Sequence, residues 1–245
     1  MGLRTTTGST FPPTRLTVLE RIRSEEPDER RRAFGPLVEG YWRPIYAYLR
    51  IRWRLAPEEA RDATQSFLAA AWEKRWLERY DPGRARFRTF LRTCVDRHAM
   101  NLGQAAKRLK RGGGAAIVGL DFETAEGDIR ERPIQDPIDQ DELFRREWIR
   151  DLFSRSLEEV RREHVATGQV ARFALFERYD LGPEQGLSYA DLAAELGITV
   201  SQVTGRLAAV RRAFRARALD NLREACGTHD EYRAEAREIF GIEVE

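Results

Sequence analysis

The sequence predicts an all-α protein made of two small helical domains joined by an acidic flexible linker, the second domain containing a helix-turn-helix. Apolar residues recur three and four positions apart through most of the 245 residues, and residues that start or stop helices punctuate that pattern. No stretch alternates with the period of two that a half-buried strand needs. A hydrophobic share of 42% suffices for ordinary cores. The expected organisation is an N-terminal extension over 1–30, a first helical domain over 31–112, the linker over 113–145, the second domain over 146–225 and a tail helix over 226–245.

In the first domain Phe34, Leu37, Val38, Tyr41, Ile45, Tyr48 and Leu49 keep helical spacing, and Pro44 is expected to kink or restart the helix. Pro57 followed by Glu58 and Glu59 opens the next helix, because proline loses nothing at the first position and carboxylates favour the positive end of the helix dipole. Ala60, Ala63, Phe67 and Ala71 form its buried line, with Leu68, Trp72 and Trp76 beside it. Asp62, Gln65 and Ser66 lie on the opposite face, which from the residues alone is solvated surface.

"YDPGR" from Tyr80 breaks that helix with turn residues, and an arginine-rich helix follows. Phe87, Phe90, Leu91, Cys94, Val95 and His98 form its apolar stripe, while Arg88, Arg92 and Asp96 share another face. The net charge is only +2, yet between Arg84 and Arg111 the bases face the single acid Asp96, and between Asp121 and Glu147 the sign reverses. The glycines, prolines and acids after Arg111 show no sustained period, hence the linker.

The second domain carries "SYADLAAELGITVSQVTGRLAAVRRAFRAR" from Ser188. Ser188 caps a helix bearing Leu192, Ala193 and Leu196, Gly197 supplies the turn, and Thr199 with Gln202 forms a capping box that opens a second helix. Val203, Leu207, Val210 and Phe214 are the buried stripe of that second helix. Ser201, Gln202, Thr204, Arg206, Arg211 and Arg212 present the donors that recognition in a DNA major groove requires.

Several classes of function are not expected. The two cysteines, Cys94 and Cys226, lack the spacing of a disulfide framework or zinc site, which points to a reducing cytoplasm. No signal peptide or membrane span is expected. There is no glycine-rich phosphate loop, metal-ligand set or nucleophile elbow, so no catalysis, metal or cofactor is expected.

Read in order, "GYWRPIYAYLR", "EEARDATQSFL", "YDPGRARFRTFL", "KRLKRGGG" and "LSYADLAAELGITVSQVTGRLAAVRRAFR" resemble a bacterial RNA polymerase sigma factor of the extracytoplasmic-function type. That resemblance implies a non-catalytic protein that binds core RNA polymerase and promoter DNA, both duplex and melted strand, with an anti-sigma factor or other regulator left open as a further partner. It implies that Asp62, Gln65 and Ser66 face the polymerase. It also implies that Arg84, Arg86, Phe87, Arg88 and Arg92 hold the melted downstream element, with Phe87 or Phe90 as an aromatic on which a base stacks and Phe90 the better core candidate. The helix from Val200 would read the upstream element. Gly205 departs from the family, where serine is common, and costs about 1 kcal/mol of helix stability relative to alanine. The competing reading is a helix-turn-helix regulator that binds duplex DNA without polymerase.

Overall fold

A computed structural model describes residues 22–106, 119–130, 139–182 and 187–244. The extension up to residue 21, the basic run 107–111 and the linker segments 113–118 and 131–138 lie outside the described residues. Every regular element among the described residues is helical.

The fold is organised around α1, Pro27–Arg52, which begins with Pro27, Asp28 and Glu29 and ends with Arg50 and Arg52, an order that suits the helix dipole. Helix α1 runs through Pro36 and Pro44 as one element, so the restart that was one of the two expectations for Pro44 does not occur. An interior proline costs about 3 kcal/mol, but from Leu37 to Leu49 nearly every side of this helix is buried, and that packing outweighs the lost hydrogen bonds.

Three tyrosines of α1 reach three separate parts of the chain. Tyr48 donates to Asp96 at 2.9 Å, Tyr46 to Glu126 at 2.8 Å, and Tyr41 to the carbonyl of Ala225 at 2.8 Å. These partners sit on α3 (Phe87–Ala106), α4 (Phe122–Arg130) and α8 (Val200–Ala225). Between α1 and α3 lie α2 (Pro57–Glu73), whose Glu59 accepts from the Ala56 N–H at 3.0 Å, and a 3-10 turn over Trp76–Arg79.

The flexible-linker expectation for 113–145 fails over 122–130 and from Gln140 onward. Helix α4 occupies the first stretch and α5, Gln140–Ala166, begins in the second. The acids that suggested a solvated linker have partners far away in sequence. Glu126 receives two bonds from Arg50, each 2.7 Å, which together with Tyr46 hold its carboxyl down at about 2 against the opposing effect of burial. Phe122 wedges between Trp42 and Tyr46, with ring centres 5.1 and 5.2 Å away.

Nor does the expected boundary at 146 separate two cores. Leu143, Phe144, Trp148 and Leu152 of α5 belong to the first core, as do Leu222 and Ala225 of α8 and Tyr232 and Ala236 of α9, His229–Phe240. The second core gathers Val160, Phe173, Leu175, Phe176, Leu192, Ala193, Val203, Leu207 and Val210. It is built from the other halves of α5 and α8 together with α6 (Val170–Phe176), a π turn over Glu177–Leu181, and α7 (Tyr189–Leu196). Helices α5 and α8 run antiparallel through both cores, with Asn221 donating to Ser156 at 3.0 Å and Arg217 lying 3.6 Å from Glu159 and paired with Glu163.

Candidate nucleic-acid interface

Two basic surfaces carry the residues expected to meet nucleic acid. The first is a groove of about 650 Å³ beside α3, whose lining includes Trp76, Arg79, Arg84, Phe90, Arg97 and His98. Arg75, held in the left-handed region at φ 52°, turns the chain as α2 ends, so Trp76 leaves the buried line of that helix and stands at the groove. Its ring packs 6.0 Å from both Phe67 and His98. Ser66 Oγ lies 3.1 Å from the Ala63 carbonyl oxygen, to which it can donate, and 2.9 Å from Nε2 of His98, with which it shares a hydrogen bond. Burial and nearby Lys74 push the His98 pKa down, which keeps the ring neutral at pH 7.

The groove sorts the expected strand-binding residues unevenly. Arg84 is open to solvent, with 85% of its side chain exposed and, among the described residues, a surface pair with Asp81 at 3.2 Å. Phe87 is core: it is 1% exposed and lies edge-on to Tyr41 and Tyr80 at 5.6 and 5.3 Å, so no base can stack on it in this arrangement. Phe90, the better core candidate on sequence grounds, is partly buried and lines the groove. Positions 87, 91, 95 and 99 form the fully buried line of α3, and 90, 94 and 98 form the edge of the stripe beside it.

The polar face of α3 is also covered. Arg88 is 9% exposed, paired with Glu235 and set over the Trp148 ring at 5.6 Å. Arg92 is held by Asp96 at 2.5 Å and Asp141 at 2.6 Å. Arg86 binds Glu235 at 2.7 Å and Glu238 at 2.9 Å, and the latter contact holds the Glu238 carboxyl below its usual range. Arg86, Arg88 and Arg92 are therefore committed to carboxylates of this chain, which corrects the expectation that they face outward.

The second surface is the pair α7 and α8. Ser188 and Asp191 make a reciprocal capping box, with Asp191 N–H donating to Ser188 Oγ at 3.1 Å. Gly197 ends α7 at φ 61°, a conformation that favours glycine. Thr199 and Gln202 form the expected second box, the Gln202 N–H reaching Thr199 Oγ1 at 3.2 Å and the Thr199 N–H reaching Gln202 Oε1 at 2.8 Å. The Gln202 carbonyl oxygen thus serves the cap, and its amide nitrogen is the outward donor. Ser201, Thr204 and Arg212 are exposed and Arg206 half-exposed, and neither arginine has an ion pair among the described residues. Arg211 differs: it grips Asp180 at 2.7 Å, binds the Tyr189 hydroxyl at 3.2 Å and lies over Tyr179, so it fastens α8 to the preceding turn. A Cβ on Gly205 would meet nothing within 4 Å, so nothing within the described chain requires glycine there.

On α2, Asp62 is exposed and Gln65 half-exposed, whereas Ser66 is drawn inward by His98. The sequence reading had not placed Trp76, Arg79, Arg97 and His98 at a site. Arg97 belonged to the recognised basic run, but the left-handed turn that brings Trp76 and Arg79 alongside it has no glycine to announce it. Among the described residues no group of His, Cys, Asp and Glu could hold a metal, and no helix is long and apolar enough to cross a membrane. Comparison of the chain with protein-family models, curated proteins and solved structures finds no match.

Proposed function

We propose that this chain is a sigma factor of the extracytoplasmic-function type, a non-catalytic cytoplasmic protein that binds core RNA polymerase, selects a promoter and assists its opening. One observation carries the reading: a single chain holds two basic surfaces suited to different forms of DNA. The groove beside α3 joins arginines to Trp76 and Phe90, the combination that holds an unstacked single strand through phosphate contacts and stacking. Helices α7 and α8 make a capped pair whose outer positions Ser201, Gln202, Thr204, Arg206 and Arg212 suit the edges and phosphates of a duplex. A regulator that only binds duplex operators has no use for the groove.

In this reading α7 and α8 are the helix-turn-helix that meets the upstream element, the groove receives the melted downstream strand, and Asp62 with Gln65 meets the polymerase. The test is reconstitution with core RNA polymerase and run-off transcription from a genomic promoter library. Promoter-specific transcripts that fall when Asp62 and Gln65 are both changed to alanine are expected. Tight binding to a duplex operator by the chain alone, unaffected by core polymerase, would instead identify a polymerase-independent regulator.

A further inference from the structure

Helix α9 lays three carboxylates, Glu231, Glu235 and Glu238, along the start of α3 at the i, i+4, i+7 spacing of one helix face. Glu231 accepts the Phe87 N–H at 2.8 Å, and its other oxygen accepts from Gly227 N–H at 2.9 Å and the Tyr80 hydroxyl at 3.3 Å. Glu235, wholly buried, takes Arg86 and Arg88, and Glu238 takes Arg86 and lies 3.6 Å from Arg145. Arginine forks and a helix N-terminal N–H are the donors that bind phosphate, and here carboxylates occupy them. The covered arginines, Arg86 and Arg88, fall between groove-lining Ala85 and Thr89 in sequence, so the covered surface and the open groove adjoin at the start of α3.

The inner face of α9 is half apolar, through Tyr232 and Ala236, and half charged, through Glu231 and Glu235. Another polyanion can exchange with the charged half, and salt weakens its more exposed pair, that of Arg86 with Glu238. We propose that α9 is an intramolecular acidic cap: it stands where the sugar-phosphate backbone of a single strand continues past the groove, and it leaves when that strand binds. The proposal rests on the sigma-factor reading and adds a built-in restraint to it.

The experiment measures fluorescence anisotropy of a labelled single-stranded oligodeoxythymidine with the full chain, comparing wild type with the E235Q/E238Q double variant. Releasing two arginines to phosphates should tighten binding roughly tenfold near 0.15 M salt and steepen the log–log salt slope by about 1.4, at about 0.7 per phosphate contact on a single strand. Arg86→Ala added to the double variant should remove much of the gain. Hydrogen exchange on the wild type reads the same event without mutation: amides of 229–240 should lose protection when the oligonucleotide saturates the chain. Equal affinities and slopes for wild type and E235Q/E238Q overturn the cap, as does unchanged protection of 229–240 in the saturated wild type. A pull-down with core RNA polymerase on the same proteins reads the functional proposal separately; absence of binding sinks that proposal while the oligonucleotide comparison still decides the cap.

Discussion

Helix α3 and the first half of α8 are both rich in arginine and flanked by apolar stripes, yet they end in opposite circumstances. Arg86, Arg88 and Arg92 of the first region are tied to Glu235, Glu238, Asp96 and Asp141, whereas Arg206 and Arg212 of the second point outward. The difference lies in where the neighbours come from. The segment from Ser188 to Phe214 finds its caps and its turn close by in sequence, although its core also draws on Val160 of α5. The polar face of α3 is covered by α5 and α9, which lie 49 to 152 residues further along the chain. Among the described residues, the buried charges Arg88, Asp96, Glu126, Glu147, Asp151, Glu231 and Glu235 all belong to the first core or its seams, and the second core has none. A basic helix can be read as a contact surface when its partners are local. It becomes ambiguous when they are distant.

The sharpest way to break this comparison is Phe87→Ala. A buried phenylalanine lost from the first core costs about 3–5 kcal/mol, measurable by urea denaturation, whereas a residue exposed for stacking costs little. A loss under about 1 kcal/mol would return Phe87 to the surface and undo the contrast.

Arg88→Ala set against Arg212→Ala tests the charged partners directly. Removing Arg88 leaves the buried Glu235 with Arg86 as its remaining cation and is expected to cost about 2 kcal/mol. Arg212→Ala should stay within about 0.5 kcal/mol while weakening binding to duplex DNA. Similar losses in both proteins would mean that the two helices are equally committed.

The buried charge of Asp151 gives the comparison a pH signature. Burial pushes its carboxyl up to about 6, against the opposing influence of Arg155 and Arg43, from an ordinary value of 3.8. The folded state therefore holds this proton more tightly than the unfolded chain, so stability from this group falls as pH rises from about 4 to about 6, by up to about 3 kcal/mol in total. Below about 4.5 the trend is opposed, because Glu126, depressed to about 2, loses its bonds to Arg50 as it protonates. Asp151→Asn should flatten the slope between pH 4.5 and 6 in thermal melts. An unchanged slope would show that Asp151 is ionised at no unusual cost.

The smallest effect is expected at Gly205. Alanine there meets no neighbour and should stabilise α8 by about 1 kcal/mol, raising the melting temperature. If the same variant loses duplex binding, close approach of DNA is the reason that glycine stands there.

The helical class, the caps at Ser188 and Thr199, the turn at Gly197 and the stripe of Val203, Leu207 and Val210 were all legible, because each depends on residues a few positions apart. The helix over 122–130 was not. Its acids resembled a solvated tether until Arg50, Tyr46 and Trp42 were placed against it. The passage of α1 through Pro44 was hidden for the same reason, since only the surrounding helices supply the packing that offsets the broken ladder. At the groove, Arg84 was legible from its turn, while Phe87 and Phe90 exchanged places. One residue of helical phase decides between the buried line and its edge, and the apolar pattern includes both.

The three tyrosines of α1 set an order of events when the chain is made on a ribosome. Their partners lie 48, 80 and 184 residues downstream, so the first core lacks a wall until Ala225 and the helix beyond it have emerged. The later-made core between Leu157 and Phe214 needs no residue beyond that span and can form as soon as its own residues appear. The half of the protein synthesised first is thus the half completed last, and until then its aromatic surfaces at Tyr41, Trp42 and Phe87 stay open to chaperones and to one another.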